Sequence, residues 1–245
     1  MLISILLVCL LVGVLVGATG IGGILMPPAL MLLGGVEAHQ AMGTALASFL
    51  PLALVGIYRY AVQTKVLSWP QALPLCAGGL AGTGPGALLG AQVQSEYLVA
   101  LLALLIIFCG VGAFRPPSAS GHYAFWHTGR GIFLIGLVTG VLAGLTGAGG
   151  PVLTIPFMIV VGFAPLSAVA LSFAYQVATS LSGTVGNALV GNILWALLLK
   201  VCLANITGTL LGLLIARHLP QLVLRRCIGA LCCALGLFLI LRTIL

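Results

Sequence analysis

The sequence predicts an all-α integral membrane protein. The expected form is a duplicated helical bundle of about eight apolar segments, with the first segment of each half broken at a Gly-rich element and the halves related as an inverted repeat. Three observations predict it. Hydrophobic residues fill 62% of the 245 positions and charged residues only 4%. A soluble domain carries about 25% charged residues, so there are too few ionic side chains here to coat a water-facing surface. Apolar runs of membrane-crossing length follow one another along the chain, and a Thr-Gly-x-Gly-Gly element recurs in both halves.

Dividing the chain at charges and turn residues gives the segments in order: Leu2–Leu33, Ala38–Tyr60, Trp69–Gln92, Tyr97–Phe114, Gly131–Val161, Leu166–Val190, Ile193–Ala216 and Leu222–Leu245. Most match the ~20 residues that cross ~30 Å of hydrocarbon. The first twenty residues lack the basic opening of a signal peptide and read as the first membrane segment. One long polar piece, Arg115–Arg130, contains Pro116, Pro117, Ser118, Ser120, Gly121, His122 and His127. It is expected to link a first transmembrane repeat, 1–114, to a second, 131–245. Seven cysteines (Cys9, Cys76, Cys109, Cys202, Cys227, Cys232 and Cys233) lie in or at the ends of apolar runs without CxxC or zinc spacing. They read as small packed hydrophobes.

The halves read as copies. The run Gly13–Gly23 aligns without a gap on Gly140–Gly150, and Trp69, Cys76, Gly82, Thr83 and Gly86 answer to Trp195, Cys202, Gly208, Thr209 and Gly212 at one constant offset. Leu2–Leu33 and Gly131–Val161 are too long for one crossing, since each would reach roughly 45 Å as an unbroken helix. Each is interrupted in its middle, with prolines following at Pro27/Pro28 and Pro151/Pro156. Unwound backbone at membrane depth is tolerated only where protein buries it or it lines a cavity. If each broken stretch crosses once, the repeats are parallel. If it folds back or makes two short passes, they are inverted and Arg59, Lys65, Arg115, Arg130, Arg217, Arg225 and Arg226 share one side, as the positive-inside rule prefers.

The breaks are the candidate binding site. Glycine lets backbone N–H groups approach a ligand, and a half-helix starting after each break points its positive end there. Thr19, Gly20, Gly22 and Gly23 in one half and Thr146, Gly147, Gly149 and Gly150 in the other would therefore hold a small anion near the midplane. The following helices add Gln40, Thr44 and Ser48, and Ser172, Gln176, Thr179 and Ser180, at helical spacing. The competing explanations are close helix packing for the glycines and interhelical hydrogen bonds for the hydroxyls. Lys200 is a further candidate anion contact; it can also snorkel, and its repeat counterpart is Pro74. His39 and His218 at segment ends and His122 and His127 in the linker read as solvated.

Glu37 and Glu96 are the only acids, each in a polar break, so a paired-carboxylate enzyme and a carboxylate proton or sodium relay both lack parts. No cofactor or metal is expected. The +7 charge reads as topology, not a nucleic-acid footprint, and GxGG is no nucleotide fingerprint without a strand–turn–helix unit. The expected partners are a small anionic substrate and the lipid bilayer, with the oligomeric state left open, a homodimer included.

The stretches GVLVGATGIGGILMPPALMLLGG and GVLAGLTGAGGPVLTIPFMIVVG, with the repeat endings GALLGAQVQSEYLVALLALLIIFCGVG and GLLIARHLPQLVLRRCIGALCCALG, resemble the TauE/SafE family, also called the sulfite exporter or TSUP family. The resemblance covers nearly the whole chain. It implies a multi-pass inner-membrane transporter of sulfur-containing anions or small organic acids, with the glycine elements as its hallmark. Ile24 and Pro151 stand where the family often carries a third consecutive glycine. The alternatives are a passive anion channel and, in a different class, a membrane thiol-dependent enzyme or carrier.

Overall fold

The computed structural model describes residues 2–19, 22–114, 124–215 and 221–244, and every regular element among them is helical. In chain order these are α1 (Leu2–Thr19), α2 (Met26–Gly34), α3 (Ala38–Ile57), α4 (Trp69–Gly90), α5 (Ser95–Phe114), α6 (Gly129–Thr146), α7 (Gly150–Val160), α8 (Pro165–Leu189), α9 (Trp195–Ile215) and α10 (Gln221–Ile244). A π-helical turn at Tyr58–Gln63 prolongs α3, and 3-10 turns occupy Gly22–Leu25 and Ala124–His127. Each of the two long apolar stretches thus resolves into a pair of helices. Prolines sit in the first turns of α2 and α7, where a missing N–H costs nothing.

Among the described residues, Ala38–Gln63, Trp69–Gly90, Gly129–Thr146 and Trp195–Leu214 are long and apolar enough to cross a membrane. Helix α8 has the length, 25 residues, but buries Ser172, Gln176, Thr179, Ser180 and Asn187. Its polar face is covered by α3, α4 and α7 rather than by lipid. Large apolar side chains on the outer helices, such as Leu73, Leu104, Leu199 and Leu203, are exposed as a lipid-facing surface requires.

Both broken stretches fold back on themselves. The Cys9 thiol lies 3.6 Å from the Met26 sulfur, and a Cβ built on Gly34 would stand 3.5 Å from Ile5, so α2 returns along α1. In the second hairpin His127 Nε2 is 3.2 Å from Val161 O. The His127 ring stacks on Phe163 at 4.3 Å, and Trp126 meets Phe157 edge-on at 5.5 Å. The end of α7 therefore lies beside the start of α6. This second hairpin opens at the end of the bundle where α3 finishes, since Ile132, Val161 and Phe163 share an apolar cluster with Leu67.

The long limb of each hairpin is gripped by a helix from the other half of the chain: α1 by α9 and α6 by α4. Glycines at four-residue spacing form both seams. A Cβ on Gly13 would lie 2.6 Å from Asn205 O, while one on Gly17, Gly208 or Gly212 would run into the carbonyl of Thr209, Leu10 or Val14. On the second seam Gly78, Gly82 and Gly86 of α4 meet the carbonyls of Phe133, Leu137 and Val141, and Gly136 and Gly144 of α6 meet those of Leu75 and Thr83. Residue numbers rise together across each seam, so the paired helices run parallel. Backbones in this contact gain dispersion energy that lipid tails cannot match.

A side chain in a seam should separate the helices. Gly82→Leu is expected to cost about 3 kcal/mol or more by overpacking, whereas Gly129, with nothing within 4 Å of its Cβ position, should accept alanine within about 0.5 kcal/mol. Thermal unfolding of both variants in detergent measures the difference.

Candidate functional site

Helix α3 carries Phe49 between the two hairpins. The Phe49 side chain is 0% exposed. Its ring lies 3.3 Å from the Cβ position of Gly23 and 3.0 Å from that of Gly149. The two breaks therefore converge on one aromatic ring, which a Cβ on either glycine would crowd. Gly149 also has φ +72 as the residue preceding α7, a conformation that side chains resist. Gly147, at φ +63, ends α6 with its N–H donating to Ala143 O at 2.8 Å.

Residues of α8 complete the locus. A Cβ on Gly150 would strike the Tyr175 ring and stand 3.1 Å from Thr179 Oγ1. Gln176, 1% exposed, brings Nε2 to 3.5 Å from the Gly149 Cβ position, while its buried Oε1 has no hydrogen-bond partner. The Tyr175 hydroxyl donates to Gly136 O at 2.9 Å and meets Thr139 Oγ1 at 2.8 Å. Thr154 donates to Thr139 Oγ1 at 3.3 Å. That network ties α6, α7 and α8 around the second break.

Of the residues expected from sequence, Gly23, Gly149, Gly150, Gln176 and Thr179 are brought together here. Others are occupied elsewhere. Gly22 faces back onto its own helix, with Leu15 Cβ and Val16 N at 2.7 and 2.8 Å from its Cβ position, and Gly147 lies against the Met42 backbone. Thr44 Oγ1 accepts from Leu194 N–H at 3.0 Å. Ser48 donates to Ala45 O at 2.7 Å and accepts from Asn205 Nδ2 at 3.2 Å. Ser172 donates to Val169 O and Thr146 to Leu142 O, both at 2.7 Å. Gly20 and the Thr19 side chain fall outside the described residues, as do His122 and His218. Lys200 is exposed on the outer surface of α9, away from the breaks.

Phe49, Tyr175 and Asn205 escaped the sequence reading. For Phe49 a signal existed: the spacing that separates Gly22 from Gly149 also separates Phe49 from Gln176. Asn205, 0% exposed on α9, keeps Oδ1 without a partner, and an amide in the middle of an apolar helix was itself a signal.

Chemically, the locus offers neutral donors. The first-turn amides of α7 have no acceptor within their own helix, Pro151 removing only one of them. The first turn of α2 loses two to Pro27 and Pro28, so the second break is the better anion donor. Among the described residues no group of His, Cys, Asp or Glu is placed to hold a metal. Cys109 packs inside, its thiol donating to Val152 O at 3.4 Å. Where α3 begins and α4 and α8 end, an open cleft of about 740 Å³ is lined by Glu37, His39, Gln92 and Asn192 with apolar neighbours. His39 is clamped there, Nε2 being 3.1 Å from Val93 O and Nδ1 3.0 Å from Ser95 Oγ.

A multi-pass helical protein whose hairpin breaks meet at a buried, partly polar locus, with a cleft at one end, has the construction of a membrane transporter. The chain belongs to the family described as Sulfite exporter TauE/SafE, whose model matches residues 5–239. It is 26% identical over 250 residues to the Probable membrane transporter protein YdhB of Bacillus subtilis (strain 168), the match covering 96% of this chain and 99% of that one. No solved structure matches it.

The Tyr175 network carries a stability prediction. Tyr175→Phe keeps the ring against Gly150 and removes the hydroxyl shared by Gly136 and Thr139, which should cost about 1–2 kcal/mol. Thermal unfolding of the purified variant checks it.

Proposed function

We propose that this transporter exports a small sulfur-containing oxyanion or organic anion, of the sulfite or sulfonate class, across a cell inner membrane by alternating access. One observation carries the reading: two glycine breaks, one from each half of the chain, flank the same buried point at Phe49 and Gln176. The first-turn amides of α7 and the Gln176 Nε2 amide group supply donors for a bound anion, while the Thr179 hydroxyl, at the margin, donates to Gln176 O at 3.1 Å. The family description supports the substrate class.

The architecture is read as an inverted repeat, 1–114 and 131–245 joined by a linker. The returning chain at Ile5/Gly34 and at His127/Val161 supports it, as does the exchange of partners in which α1 pairs with α9 and α6 with α4. Arg59, Lys65 and Arg130 then sit near one end, taken as cytoplasmic, and Glu37 and Glu96 near the other. The cleft lined by Glu37 and Asn192 becomes the outer vestibule. An inside-negative potential drives an anion outward by ~2.3 kcal/mol per charge per 100 mV, so export needs no carboxylate relay. A passive anion channel would share the site but would show far higher flux and no counterflow.

Flux into and out of proteoliposomes, measured with sulfite, sulfate, thiosulfate, sulfoacetate and a simple carboxylate at zero and imposed potential, tests the proposal. Saturable flux with counterflow is the expected result; unsaturable flux would favour the channel, and no flux of any member would end the substrate assignment. Gly149→Val should abolish flux while the protein still inserts. Gln176→Leu should raise the half-saturating concentration about tenfold, the loss of one hydrogen bond. Wild-type kinetics in both variants would remove the breaks from the path.

A further inference from the structure

Between the two glycine turns the space is held by the ring of Phe49. The three atoms closest to a Cβ on Gly23 all belong to that ring, at 3.3–3.8 Å, and so do the two closest to a Cβ on Gly149, at 3.0 and 3.2 Å. The third atom near Gly149 is Gln176 Nε2 at 3.5 Å. In the second half the residue at the matching spacing is Gln176, whose carboxamide oxygen is buried and unpartnered. The two walls thus differ in kind, one an apolar ring and the other an amide whose Nε2 donor faces the Gly149 turn.

From this we infer that Phe49 is the specificity-determining residue of the transporter, a plug whose ring sets the size of the anion admitted between the turns. The inference rests on the reading of those turns as the solute site. A solute that reaches Gly149 and the Gln176 amide must displace the ring, so only what fits in the volume the ring gives up can bind. The segment around Phe49 is built to yield. Pro51 lies inside α3 two residues further on and removes one backbone hydrogen bond from the helix. Helix α3 then gives way to the π-helical turn at Tyr58–Gln63, where Tyr60 stacks on Phe173 at 5.6 Å. Phenylalanine has two side-chain torsions, so displacing the ring moves it as a unit.

Removing the ring should let a ring-bearing anion in. In proteoliposomes, wild-type protein should carry its preferred small anion from the panel above and exclude benzenesulfonate. Phe49→Ala should raise the ratio of benzenesulfonate flux to small-anion flux by about tenfold or more, in line with pocket-size discrimination. Phe49→Trp should slow both anions. If Phe49→Ala does not insert, Phe49→Val is read in the same way. One result overturns the inference: folded, inserted Phe49→Ala or Phe49→Val protein in which the ratio of the two fluxes is not raised above that of the wild type. Gly149→Val separates this failure from failure of the site. If Gly149→Val stops flux while the Phe49 variants keep the wild-type ratio, Phe49 alone is misassigned. If Gly149→Val transports normally, the solute site itself is wrong.

Discussion

Backbone amides and carbonyls released by a helix break cannot face hydrocarbon, and the rest of this structure is arranged around that constraint. The chain breaks twice, after Thr19 and after Thr146. Each break must therefore be wrapped in protein, by Phe49 and Tyr175 from its own half and, along the long limb, by a helix from the other half. Helix α9 lies along α1 and α4 along α6, with glycine on both sides of each seam. The backbones approach so closely that no side chain separates them. A hairpin without its partner seam would leave the glycine face of its long limb uncovered, so the two halves depend on each other for burial. The two halves fold together through this exchange, because each supplies the clamp on the other's long limb.

The clamps leave the centre to α3 and α8, and these two helices have diverged. Helix α8 tolerates a density of hydroxyls and amides that would be costly against lipid, since α3, α4 and α7 cover it. Around the second break Tyr175, Thr139 and Thr154 form a bonded network. In the first half the position matching Tyr175 is Ser48, which pairs with Asn205 across to α9 instead. The second break therefore has a phenolic strut among α6, α7 and α8, while the matching serine ties α3 to α9.

The sequence shows the helices, the breaks and the seam glycines because those signals are local. Glycine and proline interrupt a helix wherever they stand, and apolar length scales with membrane thickness. Whether a broken stretch crosses or returns depends on contacts such as Cys9 with Met26 and His127 with Val161, which no local pattern contains. The same limit applies to the site. Helical spacing places Thr44, Ser48, Ser172 and Gln176 on buried faces, but it does not say which neighbour each will meet. Thr44 and Ser172 bond backbone groups, and Gln176 alone of the four keeps an unpartnered atom. Gly13, Gly17, Gly140 and Gly144 belong to the repeated element yet serve the seams. Phe49 was hidden because an apolar side chain in an apolar helix looks like core until the shape around it is known.

The placement of charge bears on how an anion could pass through such a site. Lys200 has its side chain on the outer surface of α9, and Arg59, Lys65 and Arg130 lie near the end of the bundle, so no described cation reaches the breaks. A buried ammonium would pay a large desolvation cost and would hold an anion too firmly to release it. Conduction and transport need binding strong enough to desolvate the solute and weak enough to let it go. Partial charges at the start of α7, together with a neutral carboxamide, fall in that range. On the proposed reading the full charges act at a distance, drawing anions to the basic end, while the site uses dipoles that can give the anion up on the other side.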